Sequence, residues 1–136
     1  MKKINIGFLI LMAMAQPIWA EQPQDIILNL ALQAKQDNAG FLGFDGSRGE
    51  QFFKSQHNGG DWSCASCHTD NPTLAGLHTV TKKEIEPMAP SVNPARFTNT
   101  SKVDKWFKRN CKDVLNRECT AQEKGDVITY LVSLSK

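Results

Sequence analysis

Residues 64–68 read Cys-Ala-Ser-Cys-His, and this short run constrains the chain more than any other feature. Two cysteines separated by two residues and followed at once by histidine form the signature of covalent c-type haem attachment. One turn of chain presents both sulfurs to the two vinyl groups on one haem edge, while the adjacent imidazole reaches the iron from below. A redox dithiol is a competing reading, but it belongs in a βαβ setting, and no stretch here alternates as a strand does. A zinc site needs a second ligand pair at finger spacing, and Cys111 and Cys119 are too far apart in sequence to supply it. Cys64 and Cys67 are read as thioether attachment points for one haem c, with His68 as the proximal iron ligand.

The amino terminus places that chemistry in a suitable compartment. Lys2 and Lys3 precede an apolar run from Ile4 to Ala15, and a short polar stretch closes at Ala20, the pattern of a cleaved secretory signal. The run is interrupted by Asn5 and Gly7 and falls well short of the ~20 residues that a spanning helix needs. Residues 1–20 are expected to leave on export to the periplasm, and 21–136 to form one small domain. No cysteine lies near Ala20, which disfavours a lipid anchor. Losing Lys2 and Lys3 from 16 basic residues leaves the domain formally neutral against 14 acidic ones. Neutrality argues against nucleic acid and anionic membranes, which select a concentrated positive face.

Helical periodicity runs from Asp25 to Lys35 through Ile26, Ile27, Leu30, Ala31 and Ala34, and Asn38-Ala39-Gly40 ends it. Phe41 to Gly46 reads as a loop. Ser47 with Glu50 has the capping-box spacing, which predicts a second helix to about Gln56 with Phe52 and Phe53 facing the core. His57 to Pro94 is irregular, and a stretch that long needs an organiser other than secondary structure; a haem wrapped by the chain is one. Ser101 caps a helix that carries Val103, Trp106, Phe107, Asn110, Val114 and Leu115 on one face and ends near Asn116. Thr120 with Glu123 opens the last helix, striped by Val127, Ile128, Leu131 and Leu134. The fold class is all-α: about four to five helices around one covalent haem, in the manner of small class I cytochromes c.

The group on the far side of the iron decides function, because it sets potential and access. Met88 is the one methionine left after cleavage, but it lies only 20 residues past His68, before the Ser101 helix. Methionine there also packs well against an irregular apolar edge. His57 and His78 are further candidates, each with a bland alternative as an exposed or hydrogen-bonded histidine. Asn110 points its amide into the face that carries Trp106 and Phe107, and a buried amide without partners costs ~1–3 kcal/mol. It is read either as hydrogen-bonded to backbone or a propionate, or as a ligand. Cys111 and Cys119 flank the connection between the last two helices; in an oxidising compartment they are expected to close it as a disulfide, as a structural staple or with a direct redox part.

The run Glu86-Pro87-Met88-Ala89-Pro90-Ser91, then Asn93-Pro94-Ala95-Arg96-Phe97-Thr98, Val103-Asp104-Lys105-Trp106-Phe107, Arg109-Asn110-Cys111 and Arg117-Glu118-Cys119-Thr120 resembles the sphaeroides haem protein family of oxygen-binding class I cytochromes c. The likeness spans about Gly49 to Leu134. It implies that Asn110 ligates ferric iron, leaves on reduction and opens the site to O2 or NO, beside a Cys111–Cys119 disulfide. It also implies a dihaem cytochrome c as redox partner, with a membrane cytochrome b beyond it. An amide is a weak, hard ligand that suits ferric better than ferrous iron, and Val103, Trp106 and Phe107 would make the pocket apolar. Two alternatives stand beside this reading: a plain electron carrier with Met88 or a histidine as permanent ligand, and an O2 or NO reductase. For the latter, Arg109, Lys112 and Asp113 are near the site in sequence only, and none is an evident proton donor.

Overall fold

The computed structural model describes residues 20–57 and 61–134. The expected signal segment therefore lies, but for Ala20, outside the described residues. In chain order the elements are α1 (Pro23–Asp37), α2 (Gly46–Lys54), α3 (Ala65–His68), β1 (Gly76–Leu77), β2 (Glu84–Ile85), α4 (Thr100–Leu115) and α5 (Ala121–Ser133).

Helix α1 begins two residues earlier than the periodicity suggests, because Pro23 is preorganised for a first helical position and Asp25 accepts the Gln22 N–H at 2.8 Å. It buries Ile26, Leu30 and Ala34. The start of α2 corrects the expected Ser47–Glu50 cap. Asp45 caps it instead, accepting the Arg48 N–H at 2.7 Å, while Glu50 turns outward to Lys54 at 2.7 Å. Asp45 prevails because its own N–H donates to Asp126 Oδ1 at 2.7 Å, which fixes the cap from outside the helix. The cap of α4 is likewise Asn99, which accepts from Lys102 N at 2.8 Å, rather than Ser101. That helix does end at Asn116, in the left-handed conformation at φ 55°. Thr120 and Glu123 form the capping box expected for α5, with hydrogen bonds of 3.1 and 2.8 Å, and Arg117 grips the same carboxylate at 2.6 and 2.8 Å.

Helices α1, α2 and α5 pack together, with α2 on α5 the most intimate pair. Gly49 makes that crossing possible: a Cβ there would run into the Asp126 carbonyl. The same crossing is locked by Asp126, only 5% exposed, which takes Arg48 Nε and Nη2 in a two-pronged pair at 2.8 Å each. A buried carboxylate held this way keeps its charge compensated. Phe53, Ile128, Leu131 and Tyr130 fill the core with Ile26 and Leu30. Helix α4 has no comparable helix partner among the described elements. It is tied on by Val103 and Phe107 and by a Cys111–Cys119 disulfide with Cα atoms 5.6 Å apart.

No strand is visible in the sequence, yet β1 and β2 pair antiparallel, Gly76 with Ile85 and Leu77 with Glu84. Two residues per strand are too few for an alternating pattern to register.

Candidate functional site

The motif forms one helical turn. Cys64 is already helical (φ −59°, ψ −40°), and its carbonyl accepts from Cys67 N at 3.2 Å and His68 N at 3.1 Å. Residues three apart on a helix are neighbours, so the two thiols, both free, share a side of the turn. Burial above all pushes the Cys64 thiol up to about 11. It is therefore a neutral thiol at pH 7, unlike the low-pKa thiolate that redox dithiols and zinc sites use. No group of three or more His, Cys, Asp or Glu is placed to hold a metal ion among the described residues.

His68 is set up as a neutral imidazole. Burial chiefly, then the charges of Arg96 and His78, push it down to about 4, and Phe53 lies 6.2 Å from its ring. Its Nδ1 is buried without a hydrogen-bond partner. The chain then returns against the turn at Gly76, where any Cβ would collide with the Cys67 carbonyl. Nearby, Thr79 Oγ1 stands 3.6 Å from Cys67 Sγ.

The segment 86–97 completes this side. The carbonyl of Pro72, four residues past His68, accepts from Met88 N at 2.9 Å and Ala89 N at 3.1 Å, which ties the Met88 backbone to the end of the motif. Arg96 donates from Nε to the Pro87 carbonyl at 2.9 Å and from Nη2 to the Glu86 carbonyl at 2.6 Å. Burial lowers its pKa, against the pull of Glu86, and among the described residues no carboxylate reaches it as an ion pair. Arg96 is the residue that a reading of the sequence missed as part of the site. Its signal was an arginine within a stretch of proline, small and apolar residues, where a cation needs a reason.

The α4 candidates divide. Val103 and Phe107 are half-buried against the main core, which Cys64 and Met88 also touch, and Phe107, Cys64 and Phe52 bridge to the cluster around the disulfide. Asn110 is half-buried, immediately before the disulfide-bonded Cys111. Trp106 stands at the outer edge, 47% exposed, with the Arg109 guanidinium 5.9 Å above its ring. The histidine alternatives each have one ring nitrogen in a local hydrogen bond. His57 Nε2 lies 2.8 Å from the Phe52 carbonyl oxygen, and His78 Nδ1 accepts from Val80 N and Thr81 N at 3.2 Å.

These residues fit a flat, largely apolar ring that carries two carboxylates. They offer two thiols one turn apart, an imidazole with an unpartnered nitrogen and a half-buried guanidinium with no anion. Apolar Trp62, Leu74, Leu77, Val80 and Val92 stand exposed in the segments around them. A groove of about 560 Å³ lies instead at Arg48, Phe52, His57, Glu123 and Asp126. Its charged walls are paired: Arg48 with Asp126 and Glu123 with Arg117.

The family model described as a domain of unknown function, DUF1924, matches residues 39–131. The chain is 45% identical over 92 residues to the cytochrome c-type protein SHP of Cereibacter sphaeroides, a match covering 65% of this chain and 70% of that protein. Over 79 residues it is 46% identical to cytochrome c'' of Methylophilus methylotrophus, covering 58% of this chain; the match spans only 55% of that relative's length. The structure of oxidised SHP, an oxygen-binding cytochrome c, superposes with a TM-score of 0.75 at 37% identity, covering 85% of this chain and 100% of that one. The solution structure of cytochrome c'', described for haem-ligand detachment, gives 0.73 at 36% identity, covering 84% and 94%. The chain belongs to the SHP family of helical c-type cytochromes, and its cofactor is one covalently bound haem c.

Proposed function

We propose that this chain is a periplasmic monohaem cytochrome that accepts an electron from a partner cytochrome and binds a diatomic gas, O2 or NO, in its ferrous form. Residues 1–20 leave on export and 21–136 work as one domain; no helix is long and apolar enough to cross a membrane among the described residues. The observation that carries the reading is the place of Asn110. It sits half-buried on α4, joined to the disulfide through Cys111, in a chain that overlays the whole of an oxygen-binding relative.

The haem would supply a one-electron iron couple and a place for a neutral gas. Cys64 and Cys67 would hold it through thioethers, and His68, which burial keeps neutral, would offer its imidazole to the iron. Arg96, fixed by two carbonyls, would neutralise a propionate. Asn110 would offer its amide oxygen, a hard, uncharged donor that suits ferric iron better than ferrous. The disulfide holds the end of α4, so release of that oxygen would fall to the Asn110 side chain. Val103 and Phe107 exclude water, and Trp106 forms the rim. By family resemblance the donor is a dihaem cytochrome c, served by a membrane cytochrome b.

The second reading is a plain carrier with Met88 as permanent ligand. Its backbone is held by the Pro72 carbonyl and its side chain packs against the main core, which supports a packing role. Replacing Asn110 by alanine separates the two. The ferric spectrum becomes high-spin or water-ligated on the first reading and stays low-spin on the second. Turnover of gas under excess reductant is the further check for a reductase.

A further inference from the structure

The formal neutrality of the domain conceals a separation of charge. Residues 21–99 carry nine acidic side chains to six basic ones, whereas α4 carries Lys102, Lys105, Lys108, Arg109 and Lys112 against Asp104 and Asp113. At 3.6 residues per turn, Lys102, Lys105, Arg109 and Lys112 fall within an arc of about 80°, on the side away from buried Cys111 and Val114. All four are exposed. Of the remaining charges on this helix, Lys108 is taken by Glu118 at 3.5 Å and Asp104 by Lys124 at 3.6 Å, and exposed Asp113 stands at the border of the stripe. Among the described residues no ion pair engages the four of the stripe. At its border the exposed Trp106 carries Arg109 over its ring, the aromatic and arginine chemistry that anchors protein interfaces.

We propose that the outer face of α4, with Lys102, Lys105, Arg109 and Lys112 at its centre, is the docking surface for an acidic electron-donating protein, an inference that rests on the electron-accepting reading above. An unpaired basic stripe on a domain of zero net charge orients an acidic partner and raises its association rate without collecting anions over the whole surface. The stripe shares its rigid helix with Asn110, so the seated donor meets the element that bears the reduction-sensitive ligand.

The test uses the ferric holoprotein and two donors. Flavodoxin hydroquinone is an acidic protein that gives up one electron, itself becoming the one-electron-oxidised flavin as the ferric chain becomes ferrous; hexaammineruthenium(II) is a small cation. Lys102→Glu, Lys105→Glu and Lys112→Glu are combined in one variant, and Lys35→Glu, Lys82→Glu and Lys83→Glu, also exposed, in a control with the same change in net charge. At low ionic strength the α4 variant should be reduced by flavodoxin about tenfold more slowly than wild type, a loss that vanishes as salt screens the pair, while the control slows about twofold. The hexaammineruthenium(II) rate should not fall in either. Equal slowing of both variants, or no salt-dependent loss in the α4 variant, overturns the proposal. So does sedimentation with phosphatidylglycerol vesicles that the α4 substitutions abolish while the flavodoxin rate stands unchanged, which assigns the face to lipid. A wild-type holoprotein that neither donor reduces overturns the electron-accepting reading together with this one.

Discussion

The α1–α2–α5 side of the molecule and the 62–99 side solve folding differently. On the first, helices bury Ile26, Phe53, Ile128 and Leu131, and a deeply buried carboxylate, Asp126, is paired with Arg48. On the second, a single turn, a hairpin of two-residue strands and their flanking segments carry exposed Leu74, Leu77 and Val80 and, among the described residues, an unpartnered His68 Nδ1 and an Arg96 without an ion pair. One side is complete in its own side chains; the other leaves contacts that a haem would cover. The cost of ordering a chain is met by burial, and on the proposed reading residues 62–99 reach theirs by wrapping the haem.

The comparison breaks most visibly when the haem is withheld. A Cys64→Ser, Cys67→Ser variant should lose amide protection across 62–99 almost entirely, with residual protection confined to α1, α2 and α5; hydrogen exchange read residue by residue checks this. Uniform loss would show the helical side to be as haem-dependent as the other. Next in size is the crossing itself. Gly49→Val drives a side chain into the Asp126 carbonyl, and overpacking of this kind costs about 3 kcal/mol, to be read from urea unfolding of the holoprotein. Removing the staple by Cys111→Ser with Cys119→Ser should cost about 2–3 kcal/mol on the chain-entropy model. Because the disulfide fixes the end of α4, the same variant should also raise the high-spin fraction of the ferric spectrum.

The smallest effect is electrostatic and tests the helical side alone. Burial opposes the charge of Glu123, but the Arg117 hydrogen bonds and the Thr120 cap outweigh it and hold the carboxyl below the ordinary glutamate range. A carboxyl depressed by folding contributes stability above its unfolded pKa and loses it as pH falls through the folded value. Arg117→Ala should therefore lower stability near pH 7 by a small amount, because the pair is partly exposed, a cost that shrinks as pH falls through the folded value, and should shift the acid unfolding midpoint slightly upward. A spectroscopic acid titration follows it.

What could be read from the sequence follows the same division. Helices α4 and α5, the Thr120–Glu123 box and the Cys111–Cys119 pairing were legible because periodicity, capping and cysteine spacing are local signals. Asp45 and Asn99 displaced Ser47 and Ser101 as caps for reasons local spacing does not carry; at α2 the decisive contact is with Asp126, far along the chain. The hairpin was too short to announce itself. Of the proposed site, Cys64, Cys67 and His68 are read from spacing alone. Arg96 is not, since its role depends on two carbonyls and the neighbourhood of His68, which only the fold assembles.

The central claim is that the group opposite His68 is displaceable once the iron is reduced. The optical spectrum of the ferrous holoprotein, recorded before and after carbon monoxide or nitric oxide, tests it most directly. The account predicts a high-spin ferrous form that converts to a low-spin adduct with either gas. A low-spin ferrous spectrum unchanged by both gases would contradict it and return the sixth position to a permanent ligand such as Met88.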